Sequence, residues 1–203
     1  MILLELFKGT GSVGKVAKKM GYKVISLDMD EKFKPDIITD ILKWKVPDEL
    51  IGKVDVIWAS PPCTEYSIAK TQGVRNFELA DAIVKKTFSI INKIKPKWWF
   101  IENPRGLLKD REFMKKYDKY KYLVTYCSYD SSFPPKPTNI WTNCPNWDIR
   151  FETKDNPCKN TRINPQTGRL IHTVTIADKT RLCDRYRIPS KLVKTLLDCT
   201  LKK

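Results

Sequence analysis

The sequence predicts an α/β fold, a mostly parallel twisted sheet with helices on both faces. Short apolar runs alternate with stretches of helical spacing through the first half of the chain. A glycine-rich turn separates the first apolar run from the first helix, and two later apolar runs end abruptly in polar, proline-bearing turns. Such alternation is the pattern of βαβ units, whose strands are buried on both faces and read as continuous apolar runs.

In order, the apolar run 2–7 is expected to be a strand, with a helix near 12–20. Further strands are expected at 23–28 and 54–59. In 77–94, Leu79, Ile83, Phe88 and Ile91 recur at helical spacing. The run 98–101 reads as a central strand, 111–117 as a helix, and 122–128 and 139–142 as two more strands. From 144 to 172 the chain holds Pro145, Pro157, Pro165 and Gly168 with little apolar periodicity, which predicts an inserted loop or miniature subdomain. Helical spacing returns at the end, with Pro189 at a helix start and Leu192, Val193, Leu196 and Leu197 on its apolar face. The expected organisation is a core over 1–143, a short insertion over 144–172 and completing helices over 173–203.

With 203 residues the chain can bury a single substantial core. Its formal charge of +15 arises from 38 Lys and Arg against 23 Asp and Glu spread along the chain, which favours a polyanionic partner without choosing DNA or RNA. Six cysteines at irregular spacings, with no secretory leader, predict reduced thiols in an intracellular protein. The first apolar run is too short to cross a membrane, and no membrane partner is expected.

Gly9-Thr10-Gly11-Ser12-Val13-Gly14 follows a strand and opens a helix, and Asp28 ends the next strand. Glycines allow a tight turn and close approach of backbone to a ligand, while a carboxylate at the second strand tip can accept from both ribose hydroxyls. The pattern fits NAD as well as S-adenosylmethionine. Asp40 is a further acceptor, suited to an adenine amino group or to a plain helix N-cap before Ile41.

The run 54–59 delivers Ser60-Pro61-Pro62-Cys63-Thr64 at a strand's carboxyl end, where open α/β sheets bind ligands. An arbitrary cysteine is a small buried hydrophobe. A Pro-Pro-Cys turn beside a cofactor loop instead suits a nucleophile. Trp98-Trp99-Phe100-Ile101 closes in Glu102-Asn103-Pro104, placing a carboxyl where burial favours its proton-donating form. Taken alone, Glu102 serves equally as a helix cap or an ion-pair partner.

Together, Phe7-Lys8-Gly9-Thr10-Gly11, Pro62-Cys63 with Ser67, Arg75, and Glu102-Asn103 resemble in order and spacing the motifs of the cytosine-C5 DNA methyltransferase family. The resemblance covers roughly residues 1 to 105. It implies a Rossmann-like class I methyltransferase sheet with S-adenosylmethionine as cofactor and S-adenosylhomocysteine as product. By the same resemblance Phe7, Gly9, Thr10, Gly11, Asp28, Met29, Asp40, Ile41 and Pro62 would form the cofactor side. Phe7 would lie against adenine and Asp28 on the ribose. Cys63 would attack the target base, Glu102 would protonate it, Arg75 would hold the base or that carboxylate, and Asn103 would order the pocket. DNA is the implied partner ahead of RNA, the chain acting as a monomer in the cytoplasm, or in a nucleus or viral factory.

Departures from the family pattern fall on substrate recognition. Thr64 stands where a glutamine usually follows the nucleophile. The later strand motif reads Lys136-Pro137-Thr138-Asn139-Ile140 without its arginine, leaving Lys136 or Thr138 to meet the cytosine carbonyl, and the terminal motif survives only as Pro189-Ser190-Lys191-Leu192-Val193. Only 144–172 is available for target recognition, which predicts short or relaxed sequence specificity. Cys144, Cys158 and His172, with Cys183 beyond, lack the spacing of paired zinc knuckles, and no metal site is assigned. The rival functions are an adenine-N6 methyltransferase, since Ser60-Pro61-Pro62 begins a related motif, a tRNA cytosine-C5 methyltransferase, an NAD oxidoreductase, and a catalytically impaired nucleic-acid-binding protein on the same fold.

Overall fold

A computed structural model describes residues 1–153, 155–174 and 182–201, with the side chains of Leu170, Leu182 and Cys183 left aside. Seven strands form the main sheet: β1 (Ile2–Leu6), β2 (Lys23–Asp28), β3 (Ile37–Ile38), β4 (Val56–Ala59), β5 (Trp98–Pro104), β6 (Lys121–Thr125) and β7 (Pro137–Thr142). Their order is β3-β2-β1-β4-β5-β7-β6. All neighbours are parallel except β7, which runs antiparallel to both β5 and β6. This is the expected class I methyltransferase sheet, with its topological switch between β1 and β4, where an open α/β sheet forms a ligand crevice.

Helices cover both faces, as the sequence predicts. α1 (Ser12–Lys19) and α4 (Ser190–Leu201), the latter preceded by the short helix α3 (Leu182–Arg185), occupy one face, where Val13, Val16, Ala17, Leu192, Val193, Leu196 and Leu197 pack on Leu3, Val56, Trp58 and Phe100. α2 (Phe77–Ile94) lies on the other, placing Val84, Phe88 and Ile91 against Leu4, Ile57, Trp99 and Ile101. The side chain of Asn76 caps α2 by accepting from the Leu79 amide at 3.0 Å, satisfying one of the otherwise unbonded first-turn donors.

Local departures have identifiable causes. The helix expected at 111–117 is a 3-10 segment over Glu112–Tyr120, preceded by an extended Arg111 (φ −71°, ψ 136°) whose guanidinium forks onto Asp81 of α2. The strand expected to reach residue 128 stops at Thr125 and turns into a 3-10 segment, Tyr126–Ser128. Within the 144–172 segment, β8 (Thr161–Ile163) and β9 (Leu170–His172) pair as a separate antiparallel hairpin.

The expectation of six reduced thiols is corrected at one pair. Cys144, just after β7, is disulfide-bonded to Cys199 on the buried side of α4. Their separation of 55 residues hides a proximity that appears only once α4 packs back on the sheet. Cys63, Cys127 and Cys158 are free thiols, while the side chain of Cys183 lies outside the described residues.

Candidate active site

The carboxyl ends of β1, β2, β4 and β5 open into one cleft of about 440 Å³. That size lies in the roughly 300–1,000 Å³ range of small-molecule sites. Phe7, Gly9, Thr10, Asp28, Met29, Asp40, Ile41, Pro62, Cys63 and Glu102 all line it. Gly11, Asn103 and Arg75 do not.

At the glycine end of the cleft, β1 runs into a turn in the left-handed region, with φ of 61° at Phe7, 47° at Gly9 and 69° at Gly11. A non-glycine residue there is uncommon and worth a reason. At Phe7 it places the ring on the cleft wall. Gly11 acts from outside the cleft as the N-cap of α1. Asp28, at the tip of β2, accepts from the Gly9 amide through Oδ2 at 2.8 Å and from the Asp30 amide through Oδ1 at 3.0 Å. It therefore fixes the glycine turn while keeping lone pairs for a ligand. Asp40 faces the cleft, and its Oδ1 accepts from the Leu42 amide at 2.9 Å in a turn, no helix starting at Ile41.

Beneath the turn lies a residue that periodicity alone did not reveal. Glu5, 2% exposed on β1, accepts from the Gly14 amide at 3.1 Å and lines the cleft floor. Burial raises its pKa to about 7, against the lowering effect of that amide. A Cβ on Gly14 would stand 2.5 Å from the Glu5 carboxylate, so a larger residue there would have to push that carboxylate off the Gly14 amide. Its only signal in the sequence is an acid inside an apolar strand.

At the reactive end, parallel pairing of Ala59 with Ile101 brings the ends of β4 and β5 to the same edge. Cys63 follows β4, and Glu102 lies within β5, which runs past the expected end at 101 because Glu102, Asn103 and Pro104 pair with β7. Burial pushes the Cys63 thiol pKa up, Lys136 pulls it down, and Glu102 pushes it up again. The thiol is thus held protonated in the free protein. Glu102, 5% exposed, accepts a 2.8 Å hydrogen bond from the Tyr126 hydroxyl. Burial, and then Glu102 itself, hold Tyr126 well above the usual phenol range, so it remains a donor.

Asn103 works from behind the cleft: its Nδ2 donates to the Pro61 carbonyl at 2.9 Å. The loop after Cys63 is anchored through Tyr66, whose buried hydroxyl donates to Asp81 at 2.9 Å beside Arg111. Arg75 braces the same loop, donating to the carbonyl oxygens of Glu65 at 2.6 Å and Lys70 at 2.8 Å. Of the two stand-ins for the missing arginine, Lys136 lines the cleft with its ammonium 5.0 Å from the Tyr126 ring centroid. Thr138 is fully buried and donates to the Lys136 carbonyl at 3.1 Å. Tyr186 and Ile188, just before α4, also line the cleft and went unnoticed in the sequence for want of a motif.

Among the described residues no helix is long and apolar enough to cross a membrane. The chain is 29% identical to the Frog virus 3 (isolate Goorha) protein named "Probable DNA (cytosine-5)-methyltransferase", over 98% of this chain and 99% of that one. It is 31% identical to the type II methyltransferase M.PspPI of Psychrobacter sp. (strain TA137), over 52% of this chain and 27% of the relative. Among solved structures, a protein described as a DNA modification methyltransferase encoded within an E. coli prophage aligns with a TM-score of 0.49 at 14% identity, covering 70% of this chain and 46% of that one. A Spodoptera frugiperda DNMT2 mutant aligns with a TM-score of 0.46 at 16% identity, covering 74% and 53%. The chain thus spans about half the length of these solved structures. The profile of the C-5 cytosine-specific DNA methylase family matches residues 4–132, more than half of the sequence, and the chain belongs to that family.

Proposed function

We propose that the protein transfers a methyl group from S-adenosylmethionine to C5 of cytosine in DNA through a covalent Cys63 adduct. The observation that carries this reading is the opening of Cys63 and Glu102 onto the same cleft as the Gly9 turn and Asp28. An NAD oxidoreductase would share the turn and the acid, but the family match favours methyl transfer.

S-adenosylmethionine, when bound, supplies an electrophilic sulfonium methyl. The cleft fits its adenosine part, with Phe7 for the ring, Asp28 for the ribose hydroxyls and Asp40 for the amino group. Cys63 loses its proton and adds to C6 of the base, while Glu102 delivers a proton to N3 so that the electron pair displaced from the 5,6 double bond is accommodated. C5, then enamine-like, would take that methyl group, with S-adenosylhomocysteine as the leaving product. Loss of the C5 proton to solvent then re-forms the double bond and expels the Cys63 thiolate, and N3 returns its proton to Glu102. The cytosine must leave the duplex to reach this cleft. Lys136 supplies the cation that the absent arginine would bring to the base carbonyl.

In this reading residues 1–143 with 173–203 form the catalytic core, and 144–172 replaces a larger recognition region. Family membership and the basic charge support DNA as substrate. The test is transfer of radiolabelled methyl from S-adenosylmethionine to duplex DNA and, in parallel, to structured RNA, with Cys63→Ala as control. Transfer to DNA that disappears in Cys63→Ala is expected. No transfer to DNA by the wild type, or transfer to RNA alone, would overturn the proposal.

A further inference from the structure

Four potential metal ligands converge outside the active-site cleft. Cys127, Glu152, Cys158 and His172 offer one ligand atom each, and these atoms all lie within 4.8 Å of one another. They come from the turn after β6, from the following loop and from β9, so only folding assembles them. The sequence assigned no metal site; of the residues weighed there, Cys144 is tied to Cys199, while Cys158 and His172 meet Cys127 and Glu152.

The cluster has the chemistry of a soft-metal site. Ligands about 2.0–2.3 Å from a tetrahedral zinc ion stand about 3.3–3.8 Å apart, and modest side-chain movement from the present spacing reaches that geometry. The Cys158 sulfur is 3.5 Å from His172 Nδ1, and the Cys127 sulfur is 3.5 Å from Glu152 Oε2. Glu152 Oε2 also faces His172 Nε2 at 2.7 Å, while Oε1 accepts from the Cys158 amide at 3.0 Å and the Thr161 hydroxyl at 2.8 Å. Oε1 is thereby fixed by outer hydrogen bonds and Oε2 is left facing the thiol and the imidazole, an arrangement that orients a ligating carboxylate. Two thiols and an imidazole favour zinc over magnesium or calcium.

The surrounding chain supplies a reason for such a site. Among the described residues between 150 and 174, Cys158 is the one residue buried as a whole. An isolated two-stranded hairpin with so little apolar burial is marginal on its own, and a coordinated ion can supply the missing folding energy.

We infer that Cys127, Glu152, Cys158 and His172 bind one structural zinc ion that fastens the 150–174 segment to the end of β6. Binding releases the two thiol protons to solvent and leaves two thiolates, a carboxylate and a neutral imidazole around the ion.

The test is metal analysis of the full-length protein purified without chelator. About one zinc per chain is expected for the wild type, a full set of four protein ligands being typical of a structural site. Cys127→Ser, Cys158→Ser and His172→Ala should each weaken zinc binding by more than about 100-fold, beyond the loss usual for an outer-shell change. Cys63→Ala should retain the ion. If a ligand variant does not fold, cobalt substitution of the wild type decides: tetrahedral thiolate coordination gives visible d–d bands and near-ultraviolet sulfur-to-cobalt charge transfer. Wild-type protein with far less than one zinc that also fails to give those bands, a stoichiometric ion other than zinc, or undiminished zinc in folded Cys127→Ser and His172→Ala would overturn the assignment.

Discussion

The side-chain amide of Asn103 donates to the carbonyl oxygen of Pro61 at 2.9 Å, tying the end of β5 to the turn that carries Cys63. Asn103 is fully buried, and its Oδ1 has no partner among the described residues. Its role is therefore to hold the backbone of the Cys63 turn from behind. Asn103→Ala leaves the Pro61 carbonyl unpaired in a buried place and should lower stability by about 1–3 kcal/mol. Urea unfolding checks the stability, and methyl-transfer kinetics should show turnover falling more than affinity for S-adenosylmethionine. Unchanged turnover in a folded variant would count against the positioning role.

Tyr126 gives Glu102 its hydrogen bond, at 2.8 Å. Tyr126→Phe removes one hydroxyl while keeping the ring that packs near Phe133. A buried carboxyl oxygen then loses its donor, which should cost about 1 kcal/mol of stability. If the bond also aims Glu102 at the base, turnover should fall about tenfold, as a comparable energy is withdrawn from the transition state. Cofactor affinity by calorimetry should be unchanged. A loss of cofactor binding equal to the loss of turnover would place Tyr126 in general structure instead.

Cys63 sits between opposing charges. Burial raises its pKa, Lys136 lowers it and Glu102 raises it. Removing the glutamate charge therefore favours the thiolate, and removing the lysine charge disfavours it. Glu102→Gln should speed iodoacetamide alkylation of Cys63 at a given pH even though methyl transfer collapses. Lys136→Met should slow it and move the rate profile to higher pH. Peptide mapping separates Cys63 from Cys127 and Cys158, the other free thiols. Parallel changes in both variants would show that access, rather than charge, sets the reactivity.

Much of this arrangement was legible in the sequence because it depends on local order along the chain. Alternation of apolar runs and helical spacing gives the strands around the switch point, and the turns at Gly9 and Cys63 fall at strand ends, where the cleft must be, while Glu102 sits inside β5 because pairing with β7 carries that strand on to Pro104. What could not be read is what forms only when distant segments close on each other. Tyr126 reaches Glu102 because β7 lies between β5 and β6, and Cys144 meets Cys199 across the packed face of α4. Arg75 carries a family motif in the sequence, yet its guanidinium binds carbonyls of its own loop. The cluster at Cys127, Glu152, Cys158 and His172 is invisible to spacing rules because its ligands come from three separate pieces of chain.

Glu5 and Gly14 make the glycine turn after β1 sensitive to pH. The Glu5 carboxyl is buried under the Gly14 amide, and burial raises its pKa from 4.5 to about 7. Between those values the folded chain holds a proton that the unfolded chain has lost, so stability must fall as pH rises through the window. The contribution is fully present below about pH 4.5 and gone once the pH exceeds about 7, with a span on the order of 3 kcal/mol from the size of the shift. Glu5→Gln can still accept from Gly14 but cannot ionise, so it should flatten this part of the stability profile. Gly14→Ala should destabilise at every pH, because its Cβ would meet the Glu5 carboxylate at 2.5 Å. Urea unfolding at several pH values distinguishes the two effects. An unchanged slope in Glu5→Gln would show that another group controls the titration, while a harmless Gly14→Ala would show that the turn can open without cost.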